Sequence, residues 1–312
     1  MKKRARSHPD ADLVLKQRTD GNPPKGMLAK FKENLFRPVD SLPLGIFRFL
    51  FGLLLCVEFL GLSRETFPAD YINPSFHFTD PFFDFLGLKV LPKPYLWWVF
   101  NLLRLSAVGI MLGLFTRVSM ILFTAAFGYF FFMEVSAYTN HYYLIFLLSF
   151  LMCFGHSGSI FSLDSLINNN ARRQQVGYWE VFLLRFQIWV VFFFGAVAKM
   201  NGDWLIRAAP LYLNLVKNLH VLGFPLQEKW VAFVLSWAGM FLDLGLAILL
   251  LMNRWPKLTF LGLCLFNGTN IFLFGLGIKT FPYLMLSSYI LFLPTRSVRN
   301  FMARFPRLEF FT

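Results

Sequence analysis

Seven stretches of this 312-residue chain are apolar for long enough to cross a lipid bilayer. A hydrocarbon core of about 30 Å takes about 20 residues of α-helix, and windows of that kind lie near 43–62, 95–115, 118–136, 141–157, 179–199, 230–252 and 257–276. A shorter one runs from Phe281 to Leu293. The composition agrees: 56% of the residues are hydrophobic and 15% charged, with a mean hydropathy of +0.54, far more apolar than one soluble core requires. The expected fold is all-α and integral to the membrane, with about eight transmembrane helices and no separate soluble domain.

Charge sets the expected orientation. Most of the net +13 lies in the first forty residues, at Arg117, at Arg172 with Arg173, at Arg254 with Lys257, and in a tail carrying Arg296, Arg299, Arg304 and Arg307. Eight crossings put all of these on one side, and the positive-inside rule makes that side cytoplasmic, with both termini inside. Seven crossings would place the tail arginines outside, so the short eighth window counts as a crossing. The basic residues do not follow a face interleaved with aromatics, which argues against nucleic acid as a partner. Membrane lipid is the expected partner instead, and a basic arm near anionic lipid gains about 1 kcal/mol per residue. The chain divides into a basic cytoplasmic segment (1–41), a transmembrane domain (42–294) and a basic cytoplasmic tail (295–312). The polar N-terminal segment has no apolar core followed by a small-residue cleavage site, so the first membrane helix should serve as an uncleaved insertion signal into the cell membrane.

Two outer connections, Ser63 to Pro94 and Met200 to Lys229, are too long for simple turns and are expected to lie along the membrane surface. Trp97, Trp98, Trp179, Trp204 and Trp230 fall at predicted helix ends, where an indole anchors at the interface. Cys56, Cys153 and Cys264 each sit inside an apolar run, as packing thiols rather than as a disulfide or zinc set; no metal ligand group is expected. Phosphate loops, HExxH and GxSxG motifs are absent, which removes support for nucleotide hydrolysis, metalloproteolysis and serine-esterase chemistry. Paired broken half-helices, the mark of many transporters, are not found.

Ionisable groups at membrane depth are costly, so each is a candidate site or a paired structural element. They are Arg48 and Glu58 in the first window, Arg104 in the second, Glu180 and Arg185 in the fifth, and Asp243 in the sixth. Arg48, near the inner end, is expected to snorkel; Arg104 and Arg185 need partners in the bundle or a polar ligand. Lys199 follows an apolar run at the outer end of the fifth window, just after Gly195, Ala196 and Ala198, whose small side chains allow close helix approach. Two readings of it stand: an ammonium reaching the interface, or an amine kept dry enough to act as a base. On this topology Asn140 and His141, at the start of the fourth window, and Asn267 and Asn270, in the seventh, share its level.

Several motifs in order resemble a known family: FRFLFG at Phe47 to Gly52, NHYYL at Asn140 to Leu144, FSLDSL at Phe161 to Leu166, LRFQI at Leu184 to Ile188, AKMNGDW at Ala198 to Trp204, and FGLGIKTFPYLML at Phe274 to Leu286. Together they are similar to the membrane domain of vitamin K-dependent gamma-carboxylases, also called the HTTM domain. The resemblance implies a carbon–carbon lyase coupled to quinol epoxidation: a vitamin K-type hydroquinone (menaquinol-like) reacts with O2, and the strong base so formed removes a proton before CO2 is added. It implies Lys199 as the initiating base, with Asn140 and His141 at the oxygenated quinone. Around them it implies a substrate and cofactor pocket of Tyr142, Arg185, Gln187, Asn267 and Asn270 on the extracytoplasmic side. Where the family has a histidine after a phenylalanine in the seventh helix, this chain reads Phe266 then Asn267. The family's β-rich substrate-recognition domain has no counterpart in the sequence, so the expected acceptor is a small molecule or a short peptide. The alternative within the same family is a non-catalytic membrane protein that assists maturation, export or immunity for a peptide partner.

Overall fold

Each apolar window becomes a helix because a chain surrounded by lipid must satisfy its backbone N–H and C=O groups internally. The structure is a computed structural model that describes residues 27–60, 67–218, 228–274 and 280–304; residues 1–26 of the basic arm, Arg307 and the segment 275–279 of the last motif lie outside the described residues. Six helices are long and apolar enough to cross a membrane: α1 (Leu42–Phe59), α2 (Lys93–Leu112), α3 (Thr116–Met133), α5 (Tyr178–Lys199), α6 (Lys229–Met252) and α7 (Pro256–Phe274). Two shorter apolar helices complete the set: α4 (Asn140–Met152), and α8 (Phe281–Ser288) with its 3-10 extension Tyr289–Phe292. The fourth window was expected to continue to residue 157; α4 stops at Met152, and its 13 residues rise only about 20 Å. The chain turns there into Gly155, where an added Cβ would come 3.0 Å from the Glu180 carboxylate.

Every consecutive pair from α1 to α8 is packed together, and α8 returns to α1, so the eight helices form a closed ring. Leu105, Phe194, Leu251 and Leu261 are exposed on the outside of the bundle, the surface a bilayer would cover. An addition that an all-α reading did not anticipate is a two-stranded antiparallel ribbon, Pro38–Asp40 with Gln175–Gly177, which ties the entry of α1 to the entry of α5.

The tightest seam is α1 against α2. At Gly52 an added Cβ would meet Met111 N at 2.4 Å, so only a hydrogen there lets the two backbones touch. The two helices also cap each other. Arg48 of α1 is fully buried and donates from Nη1 to the carbonyls of Ile110 and Met111 at 2.7 Å, near the C-terminus of α2. Arg104 of α2 donates from Nε to Phe59 O at 2.7 Å, the last residue of α1. Terminal carbonyls carry the negative end of a helix and lack the full set of partners that its interior has, so each guanidinium satisfies groups the bilayer could not. Arg48 therefore does not snorkel, and its Nη2 also donates to Phe161 O. Phe161 belongs to the segment that closes the start of α3: Asp164 accepts from Phe115 N and Thr116 N at 2.7 Å and from Thr116 Oγ1 at 2.8 Å. The motifs FRFLFG and FSLDSL thus build one interlocked corner.

Candidate functional site

Lys199 ends α5, and its position depends on how α5 registers against α6. Gly195 lies opposite Asp243, whose Oδ2 would stand 3.2 Å from a Cβ built on that glycine. Asp243 is 14 residues into the 24-residue helix α6. The sequence places Lys199 at an outer helix end; the register instead sets it beside the middle of α6, with about 20 Å of that helix running on beyond Asp243. Lys199 Nζ donates to Asp243 Oδ2, the lysine side chain being 22% exposed and the carboxylate 2%. The small residue at 195 and the carboxylate at 243 are one feature, because a larger side chain on α5 would occupy the carboxylate's place.

The residues after Lys199 fold back over the pair. Asn201 receives Trp204 N at 2.9 Å on Oδ1 and donates from Nδ2 to Ala198 O at 2.7 Å, which ends one helix and starts the short turn Gly202–Leu205. That turn carries the Trp204 ring to 5.4 Å from Lys199 Nζ, and Trp204 Nε1 donates to Ser236 O at 2.9 Å. Trp204 therefore faces the bundle instead of serving as a surface anchor. The following helix, Ala209–Asn218, buries Leu211 and Leu215 against Val231 and Ala232 of α6 and Leu273 of α7. Part of the connection expected along the membrane surface is thus packed on the first turn of α6 and the last turn of α7.

Near this pair, three buried polar atoms have no hydrogen-bond partner among the described residues: Asp243 Oδ1, Ser236 Oγ and Asn267 Oδ1. Ser236 lies two turns before Asp243 on α6. Asn267 is 1% exposed and spends its Nδ2 on Leu263 O of its own helix at 2.8 Å. The contacts of Leu246 with Gly262 and of Phe192 with Phe266 bring Asn267 to about the depth of Asp243, within about 3 Å by helix rise. Asn270, a turn further along α7, is partly exposed.

The remaining expected residues divide into two other places. At the start of α4, Asn140 is exposed, His141 is buried against the Tyr142 ring at 4.5 Å, and Tyr142 OH donates to Glu58 Oε1 of α1 at 2.8 Å. This layer continues in His77 Nδ1, 2.9 Å from Glu134 Oε2. Its floor is an aromatic cluster of Phe59, Phe67, Phe127 and Tyr142 with ring centroids 5.1 to 6.3 Å apart. The hydrogen-bond partner of Lys199 is Asp243, not His141. Arg185 and Gln187 stand on α5 about 21 Å and about 18 Å from Lys199 along the helix, and Arg185 donates from Nε to Leu291 O at 2.6 Å. Sequence reasoning named Asp243 as a costly buried acid but gave it no role; the small residues at 195, 196 and 198 were the available signal that another helix comes close. Among the described residues no group of three His, Cys, Asp or Glu side chains is placed to hold a metal ion.

The family model for the HTTM domain matches residues 36–296, most of the chain, and no solved structure matches it. The chain belongs to the HTTM-domain family.

Proposed function

We propose, from membership of the HTTM family, that this multi-pass protein of the cell membrane crosses the bilayer eight times with both ends inside and performs quinol-dependent oxygenase and carboxylase chemistry near its extracytoplasmic face. The observation that carries this reading is the Lys199–Asp243 pair between α5 and α6 under Trp204, its carboxylate buried and the helix that follows packed on α6 and α7. As a neutral amine, Lys199 Nζ can take the proton of a phenolic hydroxyl, leaving a phenolate, and the Asp243 carboxylate beside it then steadies the ammonium so formed. Asp243 Oδ1, Ser236 Oγ and Asn267 Oδ1 suit the hydroxyl groups of a hydroquinone, because each is a buried oxygen still able to accept a hydrogen bond. O2 would supply the oxidising power and a vitamin K-type hydroquinone, oxygenated by it, the strong base that the side chains lack, with CO2 as a further co-substrate. The chain's own part is to hold and accept a proton at Lys199 Nζ and to exclude water, with a small molecule or short peptide as acceptor.

A second reading is a non-catalytic family member that assists maturation, export or immunity for a peptide partner. Asn267 favours it: the position where the family has histidine holds an amide bonded to its own helix, which offers no titrating group at pH 7. The test mixes purified protein with a reduced naphthoquinone, bicarbonate and oxygen, and measures epoxide for the unsubstituted chain, Lys199→Ala and Lys199→Arg. The arginine keeps a cation for Asp243 but does not serve as a base. Epoxide lost in both variants is the expected result. Epoxide formed equally by Lys199→Arg refutes the assigned base, and its absence with every naphthoquinone leaves the partner-protein reading.

A further inference from the structure

At the other end of α5 from Lys199 is a cavity of about 500 Å³, bounded by the ribbon strand Pro38–Asp40, α5, the α6–α7 connection and the end of α8. Its charged lining consists of Arg37, Asp40, Arg185 and Arg254. The one carboxylate is already engaged, because Asp40 receives Arg299 Nε at 2.6 Å on Oδ2 and Leu42 N at 2.9 Å on Oδ1. Three arginines from distant parts of the chain therefore converge on one space, and no lining acid remains for them.

Two of the three are held in orientation. Arg185 is fixed through Nε to Leu291 O at 2.6 Å, with its guanidinium 5.5 Å from the Phe292 ring and 5.8 Å from the Tyr178 ring. Arg37 stands over the same Tyr178 ring at 4.7 Å. Stacking two guanidiniums on one tyrosine brings like charges together, which is costly unless an anion joins them. Arg254 follows directly on Asn253, the left-handed residue that ends α6 at φ 46°, and is exposed at the cavity rim. Apolar walls come from Pro43, Val181 and Leu293.

We propose that this cavity binds a phosphate-bearing anion through Arg37, Arg185 and Arg254. Guanidinium forks match phosphate oxygens bidentately, and basic pockets between membrane helices on the inner side suit lipid head groups. The same chemistry is offered by an anionic lipid head group, whose glycerol would lie on the apolar wall, and by free phosphate. The site is independent of Lys199, about 21 Å away along α5.

The experiment uses the full chain in uncharged detergent and follows its melting midpoint against short-chain phosphatidylglycerol, inorganic phosphate, and chloride at matched ionic strength. A saturable rise is expected with a phosphate-bearing probe and not with chloride. Saturation by the lipid at a concentration at least about tenfold lower than phosphate identifies the head group as the ligand, and equal concentrations identify free phosphate. Arg37→Gln and Arg254→Gln, both exposed positions at which the fold should persist, are expected to raise the half-saturating concentration about tenfold each. No saturable rise beyond chloride with either probe, or unchanged saturation in both variants, overturns the proposal.

Discussion

Removing the two partners of the Lys199–Asp243 pair should cost very different amounts, and the difference can be worked out from their surroundings. In Lys199→Met the Asp243 carboxylate, 2% exposed and already lacking a donor at Oδ1, loses its remaining one. Stranding a buried charge in this way costs about 3–5 kcal/mol. In Asp243→Asn the lysine keeps its four-carbon stem, its 22% exposure and the Trp204 ring at 5.4 Å, so the ammonium can turn toward solvent. That loss should be about 1–2 kcal/mol, near the value of one charge-assisted hydrogen bond. Replacing both together, Lys199→Met with Asp243→Asn, leaves no charge to strand and should cost less than Lys199→Met alone. Unfolding by SDS titration in mixed micelles, followed by tryptophan fluorescence, gives all three free energies. The coupling should come out at about 2–3 kcal/mol. An Asp243→Asn cost equal to or above that of Lys199→Met, or a double variant that costs the sum of the two, would refute the reasoning.

Arg48→Met should destabilise the chain by about 3 kcal/mol in the same assay, because it removes the guanidinium donors to the carbonyls of Ile110, Met111 and Phe161 in a buried seam, and only Ile110 O keeps a further donor, Gly113 N. Arg48→Lys should not restore stability, since a single ammonium lacks the forked donors that serve all three. Asp164→Ala removes three hydrogen bonds at the start of α3 and should cost about 1–2 kcal/mol, with Asp164→Asn milder; equal costs for the two would count against a capping role.

Much of the bundle could be read from the chain because lipid imposes a simple rule on helix length, and six of the windows are helices of the expected kind. What could not be read is register. Hydropathy locates Lys199 along its own helix and says nothing of where α6 lies beside it, so a residue expected at an outer edge stands level with the middle of its neighbour. The same blindness explains Arg48: its partners are backbone carbonyls, which no residue type marks, and snorkelling was the cheaper assumption. Trp204 was misread because an indole at a helix end looks alike whether it faces lipid or turns inward to Ser236. The family motifs pointed to Lys199 and His141 together, whereas only the fold exposes Asp243 as the lysine's partner.

The closure of the ring has a consequence for biogenesis. Of these eight helices α1 leaves the ribosome before the others and obtains one neighbour from the next one made, but its other neighbour, α8, is made only after the six between them. Two-thirds of α1 is enclosed by protein, so until α8 is made one flank of it must rest against lipid or an insertion chaperone. Chains cut short before Phe281 would keep that flank bare, and quality-control proteases should clear them even though every earlier helix has been inserted.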